Sequence, residues 1–445
     1  MKIIVIDCGA SFLKGALIEQ RNKEILKTCF RKSPAPNLKQ ESDPADFHIY
    51  LVLQNVKEML VELSEGEAEL GLCISNEMHG FILADNAGNP LTDYISWQDE
   101  RALTLNKDKS YLDELKQLVN PSVVLKTGMP LKSGLPSVNA YWLKQHDFFN
   151  THKECYFYTL GDFILRHLSG RDPFIHPSNA AASGLYNIIE KSWNSELIDA
   201  LQIGNLIYPT IGSGKSAAIS FGFNGTAYFA LPAIGDQQAA LLGAGFIKEE
   251  QLSMNIGTGA QVSVAAKTPQ LSTAYQTRPY FFDMYLHTIP HIPSGRALNV
   301  FYRFVKDCIC GVGGNDISDE QIWEMILTKV RSAQDSSMQV DLSFFTNAIT
   351  SNTKGSISQI EENRFFVGEL FKTILDQMAA NFVSAASRLP YGNECITHVV
   401  FSGGLSQKID VLRERILSLL PFTAEHSFSN NETFMGLTEY FNLDI

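Results

Sequence analysis

The sequence predicts an α/β protein, and three observations carry that prediction. Short apolar runs that end in glycine turns read as strands. They alternate with longer stretches of helical periodicity, which is the pattern of an α/β chain. With 45% hydrophobic and 19% charged residues, the composition is ordinary globular usage and excludes disorder or a fibrous repeat. A length of 445 residues sets a prior of two to three domains.

The elements follow in order. Ile3 to Ile6 is an apolar run closed by Asp7-Cys8-Gly9, a buried first strand, and Gly15 to Glu19 is its hairpin partner. Residues 46–63 are helical by periodicity. Glu69 to Ser75 and Gly80 to Asp85 return as strands, and Asp85-Asn-Ala-Gly-Asn-Pro is a turn. Helices are expected near 111–119, 137–146 and 160–168, the last stopped by Gly170. Another opens with Asp236 and ends at Gly243-Ala-Gly245. At Ser253 a second strand, glycine turn and strand begin, resembling the first hairpin roughly 250 positions earlier, so each can open one half of a duplicated architecture. The second half adds helices near 295–309, 316–332 and 361–388, a strand Thr397 to Phe401 running into Ser402-Gly403-Gly404, and helices near 408–420 and 432–442. The domain boundary is placed near residue 247, dividing the chain into 1–247 and 248–445.

Charge and cysteines narrow the function classes. Lys plus Arg number 36 against 48 Asp plus Glu, a net charge of −12, which argues against nucleic acid or an anionic membrane surface as main partner. Seven scattered cysteines without a CxxC pair fit free thiols in a reducing cytoplasm. The start is too short in apolar residues for a signal-peptide core, and no window reaches the length of a membrane span.

Several groups could carry chemistry. Asp7 to Ser11 ends a strand in a turn whose NH groups can face phosphate oxygens. A carboxylate there suits Mg²⁺, and Lys14 could neutralise phosphate charge. A plain hairpin with Asp7 as a cap explains the residues equally well. Asn255-Ile-Gly257-Thr258-Gly259 offers the same cradle, with the same plain-turn alternative. Asp236 is either a helix cap or a general base that takes the proton of an attacking hydroxyl. Gly403 and Gly404 let a flat ring or a phosphate approach the backbone. Met78-His79-Gly80 and Trp97-Gln-Asp99-Glu-Arg101 would suit a polyhydroxyl ligand, although a lone histidine is more often structural. Gly212-Ser-Gly214-Lys215-Ser216 lacks the first glycine of a phosphate-binding P-loop. His287 and His291 are separated by Pro290 and do not read as a zinc helix. Cys308 and Cys310 are expected to be buried thiols.

Together these motifs resemble the FGGY carbohydrate kinase family, from the Ile6-Asp7-Cys-Gly9-x-Ser11-xx-Lys14 turn through Met78-His79-Gly80, Trp97-Gln-Asp99-x-Arg101, Leu168-Ser-Gly170, Gly235-Asp236-Gln-Gln and Ile256-Gly257-Thr258-Gly259 to Ser402-Gly403-Gly404. The resemblance implies two RNase H-like, actin/hexokinase-type domains with an interdomain cleft, a sugar-binding first domain and a nucleotide-binding second one. It implies a phosphotransferase that uses ATP and Mg²⁺ to phosphorylate the terminal primary hydroxyl of a ketose of sedoheptulose or xylulose type. Asp236 would be the base, and Asp7 would hold the metal. Gly9, Ser11, Lys14, Gly257 and Thr258 would surround phosphates, and Gly403 and Gly404 would face adenosine. Met78, His79, Trp97, Asp99 and Asp236 would meet the sugar. Ala10 stands where the family has threonine, and Asn76-Glu77 where it has Gly-Gln. The alternatives are a kinase of another polyol or of a sugar acid, and a catalytically weak sugar- or nucleotide-binding regulator. The expected partners are the small-molecule sugar and ATP, with no nucleic acid and no membrane, and a homodimer is an allowed assembly. The expected location is cytoplasmic.

Overall fold

The apolar run after Met1 forms the strand Lys2–Cys8, in which Ile3, Ile4, Val5 and Ile6 are all withdrawn from water. A strand covered on both faces needs this continuous apolar sequence rather than alternation. In the computed structural model, which describes residues 1–35, 46–311, 317–391, 395–428 and 431–443, it is a central strand of a seven-stranded sheet. The order is Ile219–Phe223, Thr226–Ala230, Glu69–Asn76, Lys2–Cys8, Phe12–Glu19 and Ile25–Lys32, with Ile234–Gly235 paired beside the end of Glu69–Asn76. Lys2–Cys8 is antiparallel to Phe12–Glu19 and parallel to Glu69–Asn76.

Helix Ile49–Leu63 packs on this sheet through Ile49, Val52, Leu53, Val56, Met59, Leu60 and Leu63. That i, i+3, i+4 spacing keeps one apolar stripe against the strands. Truncating one of these fully buried side chains, such as Met59→Ala, is expected to cost about 2–5 kcal/mol. A second apolar cluster fills the region around strands Ile82–Ala84 and Cys155–Tyr158, with Phe81, Phe157, Leu185 and Leu197 among its buried members.

The chain divides into two units that are not contiguous halves. Unit 1 is Met1–Gly245 with Lys267–Tyr285 and Asn431–Ile445, and unit 2 is Phe246–Ala266 with Leu286–Asn430. The terminal helix Glu432–Asn442 belongs to unit 1 because it lies against helix Asp236–Gly243 almost backbone to backbone. A Cβ on Gly243 would sit 1.8 Å from the Glu432 carbonyl oxygen, and one on Gly436 would sit 1.8 Å from that of Ala239. Only hydrogen side chains permit this approach.

Unit 2 repeats the opening motif of unit 1. Gln251–Ile256 and Ala260–Ala266 form an antiparallel hairpin, as the sequence comparison of the two glycine turns anticipated, and His398–Ser402 runs parallel beside the first strand. Strands Tyr285–Pro290 and Glu425–Phe428 flank these three. Helices Gly295–Gly311, Asp319–Ser332 and Val367–Ala386 follow the expected stretches, residue 316 lying outside the described residues. The helix expected near 408–420 is Asp410–Leu419, and a short helix before it, Gly404–Lys408, was not anticipated.

Two expectations need correction. Cys308 is exposed and Cys310 half-buried, not buried thiols, because helix Gly295–Gly311 has no buried residue after Val305. The edge strand Ile25–Lys32 was not anticipated; only Cys29 is buried in it, so it lacks an apolar face to read. Among the described residues no helix is long and apolar enough to cross a membrane.

Candidate active site

The register of unit 1 gathers the candidate residues at one end of three parallel strands. Asp7 stands opposite Ser75, and Ser75 opposite Ile234, while Asn76 lies between Cys8 and Gly235. The carboxyl ends of parallel strands are the usual place for ligands in α/β sheets. Asp236 therefore begins its helix next to Glu77 and Asp7. The chain before it is pinned: Gly235 N donates to Ser178 Oγ at 3.0 Å, and His176 Nδ1 lies 2.8 Å from that hydroxyl. Asp236 Oδ1 accepts from Gln237 N at 2.7 Å, so the carboxylate also satisfies a free NH of the first turn.

Three carboxyl groups at one strand end repel one another. Burial, and then the Asp7 charge, push Asp236 up to about 7. Burial chiefly, with the Asp236 and Asp7 charges, brings Glu77 to about 7 as well. Asp7 is raised by burial, an effect opposed by the Ser75 hydroxyl, which donates to Asp7 Oδ1 at 2.8 Å, and by Lys14. Such a set shares protons near neutral pH. A half-buried carboxylate tuned to about 7 is suited to accept a proton at physiological pH.

The remaining predicted residues divide. Lys14 pairs with Asp7 across the hairpin and is exposed, as is Ser11 at the turn, while Gly9 is half-buried. Met78 is buried, with its sulfur 3.2 Å from Arg278 Nη1. His79 takes a positive φ of 69° and its Nδ1 lies 2.7 Å from the Ala182 carbonyl oxygen. Trp97 is 42% exposed, offering an open indole face, and its Nε1 donates to Glu77 Oε2 at 3.1 Å. Asp99 is different: it is fully buried, with its two oxygens each 2.8 Å from the Arg101 guanidinium and a third bond from Arg101 N. That carboxylate holds the 97–101 turn and is withdrawn from solvent.

In unit 2, Gly257, Thr258 and Gly403 form a backbone-lined end of the sheet. Gly403 has φ +85, and a Cβ on it would lie 2.6 Å from the Ile256 carbonyl oxygen. Gly295 N donates to the Gly257 carbonyl and Arg296 N to that of Thr258, each at 3.1 Å, so the helix Gly295–Gly311 starts against the turn. Gly404 and Thr258 are exposed. Sequence reasoning did not assign Gly295 a place here; Ser-Gly ahead of an amphipathic helix was the available signal. It also gave no role to Ser75, Lys132 or Arg278.

No group of three or more metal-ligating side chains is found among the described residues. Asp7 nevertheless fits a Mg²⁺ that arrives on phosphates, since that ion needs only one or two protein carboxylates.

Comparisons with known proteins identify the family and the fold. Residues 2–243, more than half of the chain, match the N-terminal domain of the FGGY family of carbohydrate kinases. The chain is 31% identical over 198 residues to a glycerol kinase of Sinorhizobium fredii, a match covering 42% of this chain and 38% of that one, so under half of either. It is 19% identical over 458 residues to a sedoheptulokinase of Mus musculus, covering 94% and 92%. A solved xylulose kinase from Lactobacillus acidophilus superposes with a TM-score of 0.83 at 18% identity, covering 99% of this chain and 89% of that one. This likeness shows the fold, two domains of actin/hexokinase type.

Proposed function

Because the chain belongs to the FGGY family of carbohydrate kinases, we propose that it transfers the γ-phosphoryl group of ATP to the terminal primary hydroxyl of a ketose or related polyhydroxy acceptor. The observation that carries the reading is Asp236, a carboxylate at a strand end that is tuned by burial and by Asp7 to about 7. The acceptor oxygen attacks the γ-phosphorus, the bond to the bridging oxygen breaks, and ADP leaves. The hydroxyl proton passes to an Asp236 carboxylate oxygen. Little covalent chemistry falls to the protein, so positioning and charge stabilisation supply most of the rate.

Asp7 would hold Mg²⁺ through its oxygens, and the ion would neutralise phosphate charge. Each unit offers groups of its own that would suit a nucleotide: Gly9, Ser11 and Lys14 for phosphates in unit 1, and Gly257 and Thr258 for phosphates and Gly403 and Gly404 for adenosine in unit 2. Met78, His79 and the open face of Trp97 would receive the sugar. Asp99 would act one step away, by holding Trp97 in place through the turn it closes.

The test is ADP release against a panel of ketoses, polyols and aldonates. Asp236→Ala should lower kcat by about 10²–10⁴-fold while melting near the parent temperature. A folded variant with near-normal turnover removes the base assignment.

A further inference from the structure

Two cations of unit 1 make no ion pair among the described residues, although Arg278 feels the nearby charge of Asp236. Arg278, on strand Gln276–Pro279, is 4% exposed. Its Nη1 donates to Gln237 Oε1 and rests 3.2 Å from Met78 Sδ, its Nη2 donates to Gln276 Oε1, and its Nε has no partner. Amide oxygens satisfy hydrogen bonds but do not neutralise charge. No carboxylate makes an ion pair with this guanidinium among the described residues.

Lys132 sits in a loop fastened at both ends. At Gly128, φ +68, a Cβ would lie 2.1 Å from the Thr277 carbonyl oxygen, and Thr277 N donates to the Gly128 carbonyl at 2.8 Å. At Gly134, φ +79, a Cβ would lie 2.0 Å from the Trp97 carbonyl oxygen. The loop is thus held between the Arg278 strand and the Trp97 turn. Lys132 is half-buried and has no hydrogen-bond or ion-pair partner among the described residues. Burial and the Arg278 charge bring its amine down to about 8. Two like charges withdrawn from water, with the Asp236 carboxylate near Arg278 as their one opposing charge and no ion pair to either among the described residues, are unfavourable unless a ligand completes the set.

We propose that Arg278 and Lys132 bind an oxyanion carried by the acceptor, so that the substrate class is a charged sugar, a sugar acid in the first place, with a free primary hydroxyl. The placement favours the acceptor over the nucleotide. Arg278 touches Met78 and Gln237, and the Lys132 loop touches Trp97, whereas among the described residues no hydrogen bond or ion pair joins either to the Gly9–Lys14 turn. A planar guanidinium beside a point-charge ammonium matches a carboxylate, and equally a phosphate ester. This inference rests on the kinase reading and specifies its acceptor.

The test compares aldonates and sugar monophosphates with their neutral counterparts, measuring kcat and KM for the parent, Arg278→Gln and Lys132→Met. The parent should prefer a charged acceptor, and which charged series wins identifies the oxyanion. In Arg278→Gln that preference should fall about 100-fold, through KM, with Lys132→Met following about tenfold. Melting temperatures control for folding, and Lys132→Met keeps the test alive should Arg278→Gln not fold. A parent that prefers neutral acceptors overturns the proposal. So do variants that lower kcat for every acceptor alike at unchanged KM, because the cations would then serve the transferred phosphoryl group. If the parent phosphorylates nothing, the kinase reading fails by itself; calorimetry of gluconate binding to the parent and to Lys132→Met then decides this inference, and equal affinity sinks it.

Discussion

The two glycine-turn hairpins share a backbone frame and differ in charge. In each, the leading strand ends in a polar residue opposite a serine of a parallel neighbour: Asp7 opposite Ser75 in unit 1, Asn255 opposite Ser402 in unit 2. In each, the two side chains bond. Ser75 Oγ donates to Asp7 Oδ1 at 2.8 Å, and Asn255 Nδ2 donates to Ser402 Oγ at 3.0 Å. The serine hydroxyl reverses its role because a carboxylate accepts only, whereas an amide nitrogen donates. Unit 1 then adds Glu77 and Asp236 to its carboxylate, and burial raises all three. Unit 2 keeps a neutral end lined by the Gly257 turn and Gly403. The same frame thus makes a titrating site in one unit and an uncharged backbone cradle in the other.

The largest expected effect comes from erasing that difference. Asp7→Asn makes the first hairpin resemble the second and should lower kcat on the order of 10²–10³-fold, whereas Asn255→Ala should change it by less than about tenfold. Equal losses in steady-state assays would mean that the two ends do the same work. Next is backbone strain. Gly403→Ala should cost about 1–3 kcal/mol in denaturant unfolding, since its positive φ and the 2.6 Å approach to the Ile256 carbonyl exclude a side chain. Gly9→Ala, whose Cβ would meet the Phe12 carbonyl at 3.3 Å, should cost less than about 1 kcal/mol.

A smaller effect is pH-dependent. Asp236 titrates at about 7 in the fold, above the ordinary carboxylate value of about 4 in the unfolded chain. The fold therefore holds a proton that the unfolded chain releases, and this contribution is lost as pH rises through 7. Asp236→Asn should be more stable than the parent at pH 8 by about 1–2 kcal/mol, with the gap closing near pH 4. Parallel stability curves across that range would show that the carboxylate is not strained by burial. The smallest effects belong to the serines. Ser75→Ala and Ser402→Ala should each cost about 1 kcal/mol, but only Ser75→Ala should displace the pH profile of turnover, and upward, because Asp7 loses its donor.

Local chemistry made much of the site legible. The apolar run to Asp7, the glycine turns and the acid opening helix Asp236–Gly243 each depend on a few adjacent residues, as does the stop at Gly170, which has φ +69. Asp99 shows what a motif alone does not state. Its motif was recognised, but the oxygens that a ligand would need are bound by Arg101, two residues on. Strands Ile219–Phe223 and Thr226–Ala230 escaped notice because they are short and only partly buried. Arg278 escaped because its neighbours Gln237 and Met78 are 41 and 200 positions away.

What the sequence determined by itself was the set of strands, turns and helix starts, because backbone preference and apolar periodicity act over a few residues. The tertiary structure alone decided which charges meet partners and which do not. Burial and electrostatic neighbourhood are sums over the surrounding chain, so Asp99 became a closed ion pair with Arg101, while Arg278 was left with only the nearby charge of Asp236 and Lys132 with no ion-pair partner among the described residues.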